Sequence, residues 1–133
     1  MYRTRNGGDS WEKIEKGLPS RFGFPIARDP STGTLFAAPV ESDEYRMFAK
    51  GELRVYRSRD GGGSWEPASK PLSKSPVYAL VLRTAMSVDG LEPGGVYFGT
   101  TAGTVHASRD CGKSWGTLPV TLPRILCVSA FKA

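Results

Sequence analysis

A short motif occurs three times in this chain and constrains the fold more than any other feature. Each copy reads Ser/Thr-Arg-Asx-x-Gly-x-Ser-Trp, and the copies occupy residues 4–11, 58–65 and 108–115, named here turns 1, 2 and 3. Together they contain all three tryptophans of the chain. A motif that returns after about 50 residues indicates a repeat architecture, built from one supersecondary unit used several times.

The motif itself predicts a rigid turn between two strands. An Asx side chain at the third position accepts hydrogen bonds from main-chain N–H groups ahead of it. The glycine at the fifth position supplies a positive φ, the serine returns a hydrogen bond, and the tryptophan covers the turn with an apolar face. The residues assigned to this structural role are Asn6, Gly8, Ser10, Trp11, Asp60, Gly62, Ser64, Trp65, Asp110, Gly112, Ser114 and Trp115.

The segments between the turns predict four short strands per repeat, which is typical of β-propeller blades. We name the strands a to d from the propeller axis outward and place each turn between strands c and d. The strands expected nearest the axis are 22–27, 77–82 and 125–130. The expected division is a half blade at 1–20, full blades at 21–72 and 73–120, and the innermost strand of a further blade at 121–133.

This arc is too short to close a ring, because propellers have at least about four blades. An isolated arc exposes blade faces and strand edges. We therefore expect either self-association or association with the remaining blades of a larger propeller. The 16 glycines and 10 prolines agree with a turn-rich all-β chain of 133 residues.

Composition gives expectations about membrane contact, cellular location, cofactors and charged partners. No apolar run reaches the roughly 18–20 residues of a membrane span, and no signal-peptide core follows Met1, so we expect a cytoplasmic protein without membrane contact. Cys111 and Cys127 have no metal-ligand spacing and are expected to be free thiols. We expect neither a cofactor nor a metal. The net charge of +5 is compatible with an anionic partner.

The three turns resemble the Asp boxes, or BNR repeats, of bacterial sialidase-like propellers, which are also described as glycosyl-hydrolase-like. Further stretches that carry the resemblance are 22–27, 41–46, 54–62, 95–101 and 122–128. The resemblance implies that the boxes lie on the face opposite the catalytic one. It also implies that a true sialidase would carry a Phe/Tyr-Arg-Ile-Pro motif, three substrate-binding arginines, an acid/base Asp and a Tyr–Glu nucleophile pair. The first motif is absent from this sequence, and the others are not assigned to residues in it.

We therefore expect a non-catalytic binding or interaction module, for a glycan or another anionic ligand. One alternative is a sialidase-type glycoside hydrolase, an exo-sialidase whose active site is completed by missing blades or by another chain. The other alternative is a purely structural repeat.

Three basic residues lie at matched positions, nine or ten residues after each tryptophan: Arg21, Lys74 and Arg124. Near the axis they would bind a carboxylate-bearing ligand, since cationic side chains make strong charge-assisted hydrogen bonds. The alternative is that they are solvated charges on the rim.

The long connection 39–52 is the second candidate site. It contains Glu41, Asp43, Glu44, Tyr45 and Arg46. A tyrosine activated by a carboxylate would act as a nucleophile, and three carboxylates would suit Ca²⁺, although the spacing matches no calcium loop. The alternative is a solvated surface loop.

Two further features have structural interpretations. Arg5, Arg59 and Arg109 share one position of the motif, and a ring of such charges would suit an acidic partner or nucleic acid. No aromatic platform alternates with them, so we expect exposed turn residues and no nucleic-acid binding. His106 aligns with Tyr2 and is expected to be a packing residue rather than a catalytic one.

Overall fold

The computed structural model describes residues 1–131, which form short strands and one 3-10 helix, Ala49–Gly51. The strands of this range are β1 (Tyr2–Arg3), β2 (Glu12–Lys13), β3 (Phe22–Arg28), β4 (Leu35–Val40), β5 (Tyr56–Ser58), β6 (Glu66–Pro67), β7 (Met86–Val88), β8 (Val96–Gly99), β9 (Thr104–Ser108) and β10 (Gly116–Thr121). No helix among the described residues is long and apolar enough to cross a bilayer.

The strands form three antiparallel sheets that follow the chain in order. Sheet 1 is the pair β1-β2, sheet 2 has the order β3-β4-β5-β6, and sheet 3 has the order β10-β9-β8-β7. Turns 1, 2 and 3 join β1 to β2, β5 to β6 and β9 to β10, so each sheet contains one turn. The prediction of an all-β fold is confirmed.

Pro25 shows how the sequence places strand β3 at an edge. A proline cannot donate a ladder hydrogen bond, and it is therefore tolerated in a strand only at an edge or a bulge. Strand β3 is an edge strand of sheet 2, and its register against β4 shifts between Gly23 and Ile26, around Pro25.

Of the three strands predicted near the axis, two are absent from the structure, so those two predictions are wrong. Residues 77–82 form no strand, and β7, nine residues further along the chain, is the edge strand of sheet 3. The segment divides its hydrogen bonds between two neighbours instead of forming a ladder. Val77 N–H donates to Gly51 O (2.9 Å), while Leu80 O accepts from Thr101 N–H (2.9 Å).

The segment 125–130 is likewise not a strand, which corrects the innermost strand predicted at 121–133. Ile125 N–H donates to Thr100 O (3.4 Å) and Val128 N–H to Thr84 O (2.9 Å). The hydrogen bonds of this segment also go to two separate parts of the chain, so it does not form a ladder with one neighbouring strand. The last two residues of the predicted range lie outside the described residues.

The main core lies between sheets 2 and 3. Phe36, Phe48 and Val55 meet Val96 and Phe98 there, all with no exposed surface. A smaller buried cluster of Ala37, Tyr56 and Trp65 lies against Met1 and Leu18 of the N-terminal segment. The sheets therefore pack one after another through their faces, as successive repeats do in a propeller.

Candidate functional site

The turns are closed by one hydrogen-bond pattern around the Asx side chain. In turn 2, Asp60 accepts hydrogen bonds from Ser64 N–H (2.9 Å), Ser64 Oγ (2.7 Å) and Ser58 Oγ (2.7 Å). In turn 3, Asp110 accepts the equivalent bonds at 2.6 to 2.8 Å. Because these donors favour the ionised form, they lower the pKa of both carboxyl groups, and that of Asp110 falls to about 2.

The backbone of the turns requires left-handed residues at two successive positions. The fifth position is glycine in every turn, with φ of 107° at Gly8, 96° at Gly62 and 75° at Gly112. The fourth position is also glycine in turns 1 and 2, but Cys111 adopts a φ of 54° there in turn 3. A side chain in this region costs free energy, so turn 3 contains local strain that the other turns avoid.

The tryptophans have different surroundings, which the motif alone did not indicate. Trp65 is 5% exposed, and its indole N–H donates to Ile14 O of the preceding sheet region (3.0 Å). Trp115 donates to Gly112 O within its own turn (3.2 Å). Trp11 is 61% exposed.

Arginine–glutamate clusters flank the first two turns. Arg57 and Arg59 both contact Glu66 Oε1, at 2.8 and 2.7 Å. Arg3 and Arg5 hold Glu12 in the same way in sheet 1. The third repeat has Ala107, Arg109 and Gly116 at these positions, and no ion pair of Arg109 occurs within residues 1–131. The motif arginines of turns 1 and 2 therefore form local ion pairs.

His106 is 3% exposed and packs as expected. Its ring stacks on Phe98 with centroids 4.8 Å apart, and its two nitrogens contact the hydroxyl groups of Thr104 and Thr117 at 3.2 and 3.0 Å. Burial lowers the pKa of the imidazole, which keeps it neutral in the core.

The strand register of sheet 2 places the loop 41–46, Arg21 and Lys74 at the end of the sheet opposite turn 2. Leu35 pairs with Ser58 at the turn end, whereas Phe22 pairs with Val40 at the other end, named here the far end. The loop that follows Val40 and the segment around Lys74 both lie at the far end, since Leu72 N–H donates to Leu53 O (2.8 Å) and the chain then continues away from turn 2.

The far-end loop is ordered by local contacts. Asp43 forms an ion pair with Arg46 (2.7 Å), and the Arg46 guanidinium lies 5.8 Å from the centre of the Phe24 ring. Glu41 Oε2 accepts a hydrogen bond from the main-chain N–H of Lys50 (2.8 Å). The carboxylates of Glu41 and Asp43 are thus engaged separately, and Glu44 is exposed. Such an arrangement is not a cage for a cation.

Tyr45 is 60% exposed, and its main chain, not its hydroxyl, ties it into the loop. Its N–H donates to Ser42 Oγ (2.9 Å), and its carbonyl accepts from Met47 N–H (2.8 Å). Within residues 1–131 the Tyr45 hydroxyl makes no hydrogen bond to Glu44 or Glu41, so the loop does not form the Tyr–Glu pair that nucleophilic catalysis requires.

Lys50 and Lys74 line one shallow depression at the far end, together with Ser73 and Ser75. Within residues 1–131, neither ammonium group forms an ion pair. The carboxylate of Glu52 also lines the depression, but Arg54 neutralises it from 3.0 Å. The depression therefore presents two unpaired positive charges beside serine hydroxyl groups.

Lys50 adopts a left-handed backbone, with φ 58° and ψ 18°. The Glu41 carboxylate fixes this conformation by binding the Lys50 N–H. A non-glycine residue held in this region costs free energy, and such strain is concentrated at functional positions. Sequence reasoning missed Lys50; the available signal was a basic residue directly before a glycine, Gly51, in a polar loop.

The three matched basic residues have different environments. Arg21 is 83% exposed with its Nε 3.5 Å from Glu15, and it lines a second depression, of about 100 Å³, with Phe22 and Pro39. Arg124 is exposed beside the buried Ile125. Lys74 is therefore the member of this set that the fold brings together with another unpaired cation.

Comparison with known proteins gives a fold likeness. No protein-family model matches the chain, and no curated protein matches it. Among solved structures, it is similar to a point mutant of the NanB sialidase from Streptococcus pneumoniae, with a TM-score of 0.54 and 23% sequence identity. The likeness covers 98% of this chain but 21% of the sialidase chain. At this identity it shows the fold, which is that of a segment of a sialidase-like propeller.

Proposed function

We propose that the chain is a non-catalytic binding module of a sialidase-like propeller, and that its far-end depression binds carboxylate groups of anionic glycans. The observation that carries the proposal is that one depression is lined by Lys50 and Lys74, neither of which forms an ion pair within residues 1–131. The three turns act in this account as Asp boxes, which fix the strands and leave the far end free for ligands.

The chemistry of the depression suits a sugar acid. Ammonium groups donate charge-assisted hydrogen bonds to a carboxylate, and the hydroxyl groups of Ser73 and Ser75 suit the hydroxyl groups of a sugar. The exposed ring of Tyr78, 81% accessible, follows the depression in the chain and offers an apolar face for a sugar ring. A shallow exposed site of this kind predicts weak, salt-dependent binding.

The test is a binding titration with 3′-sialyllactose, with lactose as the neutral probe. Wild-type protein should bind the sialylated sugar in preference to lactose, and Lys74→Ala should weaken binding about fivefold, the effect of losing roughly 1 kcal/mol at an exposed site. Lys113→Ala removes an exposed lysine of turn 3 and serves as the matched control. Equal binding of the two sugars, or an unchanged affinity of Lys74→Ala, would contradict the proposal.

Lys50→Gly separates the binding role from stability. Glycine accepts the left-handed backbone of Lys50 without penalty, so this variant should unfold no more easily than the wild type. It should nevertheless bind sialyllactose more weakly, because it lacks the ammonium group.

A sialidase-type hydrolase completed by further blades or by another chain is the second candidate, and it is favoured by the likeness to a sialidase over 98% of this chain. Release of fluorophore from a fluorogenic sialoside by the purified chain would establish it. If neither hydrolysis nor binding of an anionic sugar occurs, the purely structural role is the remaining function.

A further inference from the structure

One inter-sheet contact is made twice in the chain. A Cβ placed on Gly62 of turn 2 would lie 2.7 Å from Cδ1 of Ile14. One placed on Gly112 of turn 3 would lie 3.0 Å from Cε1 of Phe36 and 3.5 Å from Cβ of Ala68. Ile14 and Ala68 each follow the tryptophan of the preceding turn by three residues. Turns 2 and 3 thus both pack their glycine on this position of the preceding repeat, and turn 3 packs on Phe36 as well.

The low exposure of Ile14 and Ala68 shows that this contact keeps solvent away from both side chains. Ile14 is 5% exposed and Ala68 is 6% exposed. Where turn 2 packs on the preceding region, two hydrogen bonds accompany the contact: Trp65 N–H donates to Lys16 O (2.8 Å) and the Trp65 indole donates to Ile14 O. The contact therefore combines apolar burial with backbone pairing.

The two halves of a third such contact lie uncovered at opposite ends of the chain. No heavy atom lies within 4 Å of a Cβ placed on Gly8, and Trp11 is 61% exposed where Trp65 is 5% exposed. At the other end, Leu118 follows Trp115 by three residues and is 46% exposed. Val120, also in β10, is 44% exposed and adds apolar surface near Leu118.

We propose that a second copy of this chain completes the contact, with turn 1 of one copy seated on Leu118 of the next. The template is internal, since turns 2 and 3 make this contact within the chain. Because turn 1 and the Leu118 face are different surfaces, the association is head to tail, so it closes into a ring or continues as a chain of copies. The copy buries Trp11 and Leu118 together, as Trp65 and Ile14 are buried now.

The test is light scattering combined with sedimentation velocity on the whole chain over a range of concentrations. Wild type should reach at least twice the monomer mass as concentration rises. Trp11→Glu disrupts the surface at turn 1, and Leu118→Lys disrupts the surface around Leu118. Each variant alone should stay monomeric. Mixed in equal amounts, they retain one intact pair of surfaces and should form a dimer that does not grow further.

Circular dichroism should show that each variant is folded, since both substituted positions are exposed. Tyr78→Glu alters an aromatic residue that is 81% exposed and lies outside both surfaces, so it should associate as the wild type does. A wild type that remains monomeric throughout would overturn the proposal and point to a further blade of a longer chain as the occupant. Association of either single variant to the wild-type extent would overturn it as well.

Discussion

Replacing Asp110 by Asn in turn 3 isolates the contribution of charge to the repeated turn. Asn6 occupies the equivalent place in turn 1, where its Oδ1 accepts from Ser10 N–H (3.0 Å) and its Nδ2 donates to Ser10 Oγ (3.0 Å). The amide therefore keeps the turn closed while the negative charge is lost. Asp110→Ala, which removes both acceptors, should destabilise the chain more strongly.

The magnitude follows from the acidity of Asp110. Hydrogen bonds from Ser114 and its neighbours lower the pKa of its carboxyl from 3.8 to about 2. At about 1.4 kcal/mol per tenfold change in acid strength, this corresponds to about 2.5 kcal/mol, which partial exposure to solvent reduces to about 1–2 kcal/mol. We expect Asp110→Asn to lower the free energy of unfolding in urea at pH 7 by this amount.

The stabilisation by Asp110 should decrease as the pH falls. The folded-state pKa of Asp110 is depressed, so its stabilisation is complete above the unfolded value of 3.8 and is lost as pH falls toward about 2. The difference in stability between wild type and Asp110→Asn should therefore fall to about half by about pH 3. A difference that is absent at neutral pH, or that stays constant down to pH 3, would show that the charge of Asp110 does not stabilise the turn.

Three further predictions concern stability and are measured by the same urea titrations. Cys111→Gly should stabilise the chain by roughly 0.5 kcal/mol, since relief of the left-handed backbone exceeds the added entropy of the unfolded state; a loss of stability would show that the thiol is needed. Gly116→Glu should raise the free energy of unfolding by about 1 kcal/mol, because it gives Arg109 the carboxylate partner that Glu66 gives Arg59. Gly116→Gln has no charge and should keep only the part of this stabilisation that does not depend on salt concentration. Because burial lowers the pKa of His106, stability should fall as pH drops below about 6.5, and His106→Gln should flatten this decline.

The periodic motif allowed much of the fold to be predicted. Each turn depends on contacts within eight residues, so Asp60 and Gly62 were readable from the sequence together with the strands that flank them. The two segments 77–82 and 125–130 could not be assigned correctly in this way. Their apolar pattern reports burial, whereas their hydrogen bonds are decided by which neighbours lie alongside after folding.

The candidate site was predicted only in part for the same reason. Lys74 was identified by its position after Trp65, but its partner Lys50 lies 24 residues earlier in the chain, and they share a depression only because the chain folds back there. The left-handed backbone of Lys50 depends on the distant Glu41 carboxylate, which no local pattern reveals.

Amide NMR during titration with 3′-sialyllactose tests most directly whether anionic sugars bind at the far end of sheet 2. Binding there should produce saturable shift changes concentrated at residues 49–52 and 73–76, with the amides of turns 2 and 3 unchanged. Shift changes centred on the turns, or none at any residue at millimolar sugar, would contradict it.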